Sequence, residues 1–143
     1  MINFKIFTIF PELFPQILAK SITGEALNKN LWKLDVINIR DYGFDARKTV
    51  DDAPFGGGAG MVFRPDVLHH ALEKNIIQNP QNLKKPKIIY PSPRGKVFNQ
   101  KMAQELSKES EINIICGRYE GIDHRIIEIF DVEEISIGDY VLS

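Results

Sequence analysis

Short β-branched and aromatic runs alternate along the chain with segments in which apolar residues return every three or four positions. Residues 3–10 (NFKIFTIF) predict a first strand. Pro11 suits the first turn of a helix, and Leu13, Phe14, Ile17 and Leu18 then recur at helical spacing, so a helix is predicted there. Residues 34–39 (LDVINI) predict a second strand, and residues 40–64, rich in Gly and Asp and without a period, predict a long loop. Pro65 opens a predicted helix through Val67, Leu68, Ala71 and Leu72. Residues 87–90 read as a short strand that ends at PSPRG, and Asn99 is placed to cap a helix through Met102, Ala103 and Leu106. A strand over 112–116 runs into GRYEG, residues 122–130 have helical spacing, and 133–137 is a last strand.

Strands that alternate with helices imply an α/β fold with a mainly parallel sheet covered on both faces. Ligands in such sheets sit at the carboxyl ends of the strands. Three predicted strand ends run straight into unusual loops, PSPRGK, GRYEG and IGDYVLS. No repeat, low-complexity tract or linker divides the chain, so residues 1–143 are expected to form a single domain. The sequence stops just after a strand, with no following helix to cover it, which predicts that residues beyond Ser143 are missing.

Composition narrows the class. The 143 residues suffice for one domain with a core, and 43 % hydrophobic with 26 % charged residues argues against disorder. No apolar run approaches bilayer length. The amino terminus lacks a basic region and a cleavage site, and Lys5 interrupts it, so it reads as a core strand rather than a signal peptide. Cys116 is the sole cysteine and makes no internal disulfide, so a cytoplasmic protein without a membrane partner is expected. The net charge of −1 counts mildly against nucleic-acid binding. Local clusters exist all the same: Arg40, Arg47, Lys48 and Arg64 flank the glycine-rich stretch, and Lys84, Lys85 and Lys87 form a second group that reads as solvated surface.

Four motifs carry the candidate chemistry. In Asp51-Asp52-Ala53-Pro54-Phe55-Gly56-Gly57-Gly58-Ala59-Gly60-Met61, four glycines in five residues exceed what a structural turn needs. No Gly-Lys-Ser/Thr follows, and the spacing of a dinucleotide fingerprint fails at Met61. Asp51 and Asp52 are either a mutually repelling pair suited to proton transfer or exposed turn residues. In Tyr90-Pro91-Ser92-Pro93-Arg94-Gly95-Lys96, two prolines stiffen a strand exit and Tyr90 is available to pack on a flat ligand. In Cys116-Gly117-Arg118-Tyr119-Glu120-Gly121-Ile122-Asp123, two glycines bracket a polar trio whose backbone N–H groups could bind an adenine edge or a carboxylate. Glu120 and Asp123 could face a cation, and Arg118 reads equally well as an ion-pair partner. The last motif, Ser136-Ile137-Gly138-Asp139-Tyr140-Val141-Leu142-Ser143, offers a turn at Gly138 and apolar pocket walls. Cys116 has no activating His nearby in sequence, and His69, His70 and His124 lack metal-ligand spacing, so no metal ligand is assigned.

DDAPFGGGAGM, GRYEGID and SIGDYVLS, in this order, resemble the bacterial tRNA (guanine-N1)-methyltransferase family of the SPOUT superfamily, and the resemblance covers essentially the whole chain from IFTIFPELF onward. It implies a Rossmann-like domain whose carboxyl-terminal part forms a trefoil knot, incomplete in this chain. It implies S-adenosylmethionine as cofactor, held by Tyr90, Pro91, Ser92, Pro93 and Gly95, by Gly117, Arg118, Tyr119, Glu120 and Gly121, and by Ile137, Gly138, Tyr140, Val141 and Leu142. Glu120 would lie near the methionine end. Asp51, Asp52, Gly56, Gly57, Gly58 and Gly60 would approach the substrate tRNA, methylated at guanine N1 just 3′ of the anticodon. The resemblance further implies a homodimer, help from magnesium, and a general-base aspartate and a tRNA-binding domain beyond Ser143. Phe55, Pro91, Arg94 and His124 stand where that family commonly has tyrosine, leucine, glutamine and an acid. A non-catalytic RNA- or nucleotide-binding module of related fold is the alternative from another class.

Overall fold

The computed structural model describes residues 1–76 and 85–141. Strand β1 (Ile2–Thr8) is shorter than the apolar run that predicts it, because the Thr8 hydroxyl accepts the Phe10 N–H and turns the chain. The helix expected after Pro11 does not form. Pro15 has no N–H to donate, and Phe14 before it is extended, so two short 3₁₀ turns, Pro11–Leu13 and Gln16–Ala19, replace it. Leu13, Ile17 and Leu18 are consequently exposed, Ile17 to 81 %. The first α-helix, α1 (Ser21–Asn28), comes later, in a stretch the apolar spacing does not mark.

Strand β2 (Trp32–Asn38) pairs in parallel with β1. The long loop that follows contains a 3₁₀ turn, Ile39–Tyr42, and a two-residue antiparallel pair, β3 (Asp51–Asp52) with β4 (Val62–Phe63). Helix α2 (Pro65–Asn75) buries Val67, Leu68, Ala71 and Leu72. Its last turn is tied to β1 by Lys5, whose ammonium donates to the Asn75 carbonyl at 2.8 Å and pairs with Glu111 at 3.0 Å. Strand β5 (Lys87–Val97) is longer than predicted, since the chain rejoins the sheet after the PSPRG excursion. Helix α3 (Gln100–Leu106) starts where expected: the Asn99 side chain accepts the Met102 N–H at 3.0 Å. Strand β6 (Glu111–Ile115), helix α4 (His124–Phe130) and strand β7 (Glu133–Ser136) complete the fold.

The five long strands form one sheet in the order β2-β1-β6-β5-β7, every pairing parallel. Strand alternation sorts the core into two layers. On β5, Ile88 and Tyr90 join Phe7, Ile115, the buried face of α2 and Ile126 of α4, while Ile89 joins Ile112, Ile135 and the Met102 and Leu106 face of α3. This is the Rossmann-like α/β arrangement that the strand–helix alternation implies. Replacement of Asn99 by Ala is expected to cost about 1 kcal/mol and to lower the melting temperature by roughly 3–5 °C. Asn99→Ser should retain most of that, and calorimetry of the two variants checks it.

Candidate functional site

Parallel pairing fixes where the strand exits lie. The carboxyl ends of β6, β5 and β7 stand side by side at one edge of the sheet, so the three loops singled out in the sequence emerge as neighbours.

The β5 loop is an excursion between two strand positions. Pro91 and Lys96 both oppose Ile135 of β7, so residues 92–95 bulge out and return. Pro91 and Pro93 have no N–H for a ladder, and pairing with β6 has already ended at Ile89. Ser92 is buried, and its hydroxyl accepts the Arg94 N–H at 3.3 Å. The return runs backbone on backbone: a Cβ on Gly95 would stand 2.4 Å from the Glu134 carbonyl carbon and the Ile135 nitrogen.

The β6 loop closes over Tyr90. The Cys116 N–H donates to the Phe7 carbonyl at 2.9 Å, and a Cβ on Gly117 would stand 2.6 Å from Tyr90 Cε2. Tyr90 is only 8 % exposed, so it forms the floor under this loop rather than an open face for a ligand. Burial, reinforced by the Glu134 carboxylate beside it, pushes the Tyr90 phenol up and keeps it neutral at physiological pH. Tyr119 adopts left-handed backbone and sets its ring edge-on to Phe63 at 5.3 Å. Arg118, read from sequence as a possible ion-pair partner, has its guanidinium over the Phe10 ring at 5.9 Å. Burial pushes the Cys116 thiol up, which suits a packing residue and not a nucleophile.

After β7, the Ser136 hydroxyl donates to the Gly138 carbonyl at 2.7 Å and holds a tight turn. The Tyr140 ring folds onto Gly138, leaving Ile137, Tyr140 and Val141 exposed at the sheet edge. Leu142 lies outside the described residues.

The glycine-rich loop joins this edge through the β6 exit loop. Asp51 and Asp52 occupy successive strand positions and so face opposite sides; Asp51 is half-buried, while Asp52 is exposed and accepts the Ala53 N–H. They do not form a carboxylate pair. Beyond them, Glu120 N–H donates to the Met61 carbonyl at 2.8 Å and Phe63 N–H to the Gly121 carbonyl at 3.2 Å, which fastens the glycine-rich loop to the β6 loop. Phe55 at its tip is 91 % exposed, with the Arg125 guanidinium over its ring at 5.6 Å. Arg125 also grips Asp123 through two hydrogen bonds of 2.9 and 2.8 Å, so the cation that Asp123 faces is a side chain of the next turn. Among the described residues, no cluster of three or more His, Cys, Asp or Glu could hold a metal ion. His69 packs on Phe130 and His70 on Phe44 and Tyr42, while His124 lies 3.6 Å from Glu128. Phe10, Phe63, Arg125 and Glu134 belong to this edge without any signal in the local sequence, since each arrives through a contact distant along the chain.

A parallel sheet with three adjacent strand exits built this way defines an α/β domain of the class that gathers its ligand loops at the carboxyl ends of its strands. Its family is explicit: the model for tRNA (Guanine-1)-methyltransferase TrmD matches residues 2–143, and the chain belongs to that family. It is 53 % identical over 138 residues to the tRNA (guanine-N(1)-)-methyltransferase of Rickettsia akari (strain Hartford), covering 96 % of this chain and 57 % of that protein. Against the Rickettsia typhi (strain ATCC VR-144 / Wilmington) protein of the same name, identity is 49 % over 143 residues, all of this chain and 59 % of the relative. The Wolbachia pipientis (strain wPip) protein is 48 % identical over 96 % of this chain and 58 % of its own length. The chain thus spans less than three-fifths of the length of these curated relatives.

The Arg125 side chain, through its hydrogen bonds, holds the Asp123 carboxyl below the usual carboxylate range, and Asp123 in turn accepts the Arg125 N–H at the start of α4. A depressed carboxyl contributes stability above its unfolded pKa of about 4 and loses it as pH falls through the folded value. Asp123→Asn is therefore expected to lower the melting temperature at neutral pH, by an amount equivalent to less than about 1 kcal/mol, because the arginine of the pair is exposed to solvent screening. The gap to the unaltered protein should close below about pH 4 in melts recorded across pH.

Proposed function

We propose that this chain carries the cofactor-binding part of an S-adenosylmethionine-dependent methyltransferase that modifies guanine N1 of tRNA, at the position just 3′ of the anticodon. The observation that carries the reading is the junction at the sheet edge: three strand exits stand side by side, and the β6 exit is hydrogen-bonded to the glycine-rich loop. Membership of the family and the names of the relatives support the same activity.

The residues present fit such a cofactor chemically. Exposed Ile137, Tyr140 and Val141 supply apolar walls for an adenine, turn backbone at 117–121 supplies polar groups, and Glu120 supplies a carboxylate for a cationic end. When bound, S-adenosylmethionine offers an electrophilic methyl group on a sulfonium. Guanine N1 is protonated and weakly nucleophilic at neutral pH, so a base must take that proton while the methyl is held in line. In this reading the β5, β6 and β7 loops bind and orient the cofactor and exclude water, and the loop from Asp51 to Gly60 receives the base. The same reading includes a trefoil knot at the carboxyl end, a homodimer, assistance by magnesium and a cytoplasmic location. No helix among the described residues is long and apolar enough to cross a membrane.

Calorimetric titration of S-adenosylmethionine into the intact gene product tests the assignment. Gly117→Val drives a side chain into the Tyr90 ring, and Tyr140→Ala removes a wall, so each is expected to weaken binding by about tenfold, near 1.4 kcal/mol. Unchanged affinity in both variants would sink the pocket. A polypeptide of residues 1–143 alone is expected to transfer no methyl group to tRNA, and a positive radiolabel-transfer assay would refute that.

A further inference from the structure

Two loops distant in sequence meet at one small contact. The Glu120 side chain lies on the backbone of Gly60, where a Cβ would stand 2.4 Å from Glu120 Cγ and 3.1 Å from Cδ and Oε1. Cγ is one bond from the Glu120 Cβ, so swinging the far end of the side chain does not relieve such an overlap. The whole side chain would have to change rotamer. Next to this contact, on the carboxyl-terminal side of Gly60, run two backbone hydrogen bonds, Glu120 N–H to the Met61 carbonyl and Phe63 N–H to the Gly121 carbonyl. Gly57 provides an internal comparison. Its φ of +87° matches the +86° of Gly60, yet nothing lies within 4 Å of a Cβ placed there. Backbone strain is thus common to both positions, and the contact with Glu120 belongs to Gly60 alone.

We propose that Gly60 is a positioning residue for Glu120, and that this contact with its two adjoining backbone bonds couples the occupancy of the β6 loop to the conformation of the glycine-rich loop. The proposal rests on the reading of residues 117–121 as a cofactor loop and of residues 51–60 as a substrate loop. A ligand that fixes Glu120 then fixes Met61 and Phe63 with it. Because coupling between sites is reciprocal, tRNA that orders the glycine-rich loop tightens the cofactor by the same factor.

The test is a double-mutant cycle read by S-adenosylhomocysteine titration of the intact gene product. Gly60→Ala is expected to weaken binding roughly fivefold or more, and Gly57→Ala by less than about twofold. In a Glu120→Ala background, where the obstructed atoms are gone, Gly60→Ala should add no further loss. Hydrogen exchange on the unaltered protein gives a reading that does not depend on any variant folding. Saturating S-adenosylhomocysteine should slow exchange of the Phe63 amide, a residue outside the assigned cofactor contacts. Equal losses in the two glycine variants, full additivity with Glu120→Ala, or unaltered exchange at Phe63 with ligand bound would each overturn the proposal. Failure of the unaltered protein to bind S-adenosylhomocysteine at all would instead overturn the cofactor-loop reading beneath it.

Discussion

The parallel pairing of β6, β5 and β7 puts three strand exits next to one another, and the buried Tyr90 packs between them. Tyr90 pairs with Glu134 of β7 in the register, and its buried ring lies beneath Gly117 of the β6 exit, so this one residue meets the strands on both sides. A side chain at 117 would collide with the ring, and one at 95 would collide with the backbone of β7. Both glycines are therefore demanded by close approach.

The glycine-rich loop stands in a different relation to the sheet. Its anchor is the short ladder from Met61 and Phe63 to Glu120 and Gly121, so it is fastened to a loop that is itself held by β6. Between that anchor and β3 the chain is open, and Gly56, Gly57 and Gly58 have space on all sides of a notional Cβ. Their positive φ, and not crowding, excludes other residues. A loop that is pinned at its base and open at Gly56, Gly57 and Gly58 can change shape while its root keeps register with the β6 loop.

Much of this was legible in the sequence. All five sheet strands, α2 and the Asn99 cap follow from local pattern, and the rule that ligands gather at carboxyl strand ends marked the three exits before any coordinate. What local pattern could not supply is non-local or set by single residues. Pro15 overrides the helical spacing of Leu13, Ile17 and Leu18, so the apolar residues that predict a helix there end up exposed. The β5 excursion depends on Pro91 and Lys96 sharing one partner, which is a property of β7 and not of β5. Tyr90 was expected on the surface of the site and lies beneath it, because nothing in PSPRG reveals that Gly117 will cover the ring.

Electrostatics shows the same gap between composition and geometry. The basic residues flanking the glycine-rich stretch suggest a grip on phosphates, but Lys48 is paired with Asp41 and Arg64 with Asp66, each at under 3 Å. Arg125 is held by Asp123. In the lysine group, Lys85 and Lys87 are likewise paired, with Asp131 and Glu133, while Lys84 lies outside the described residues. Each pair must be broken, or its carboxylate tolerated close to a phosphate, before the cation neutralises RNA, so the count of basic residues overstates the attraction this surface offers. Under the proposed function, loop shape rather than long-range attraction to a polyanion would be the main basis on which this surface selects RNA.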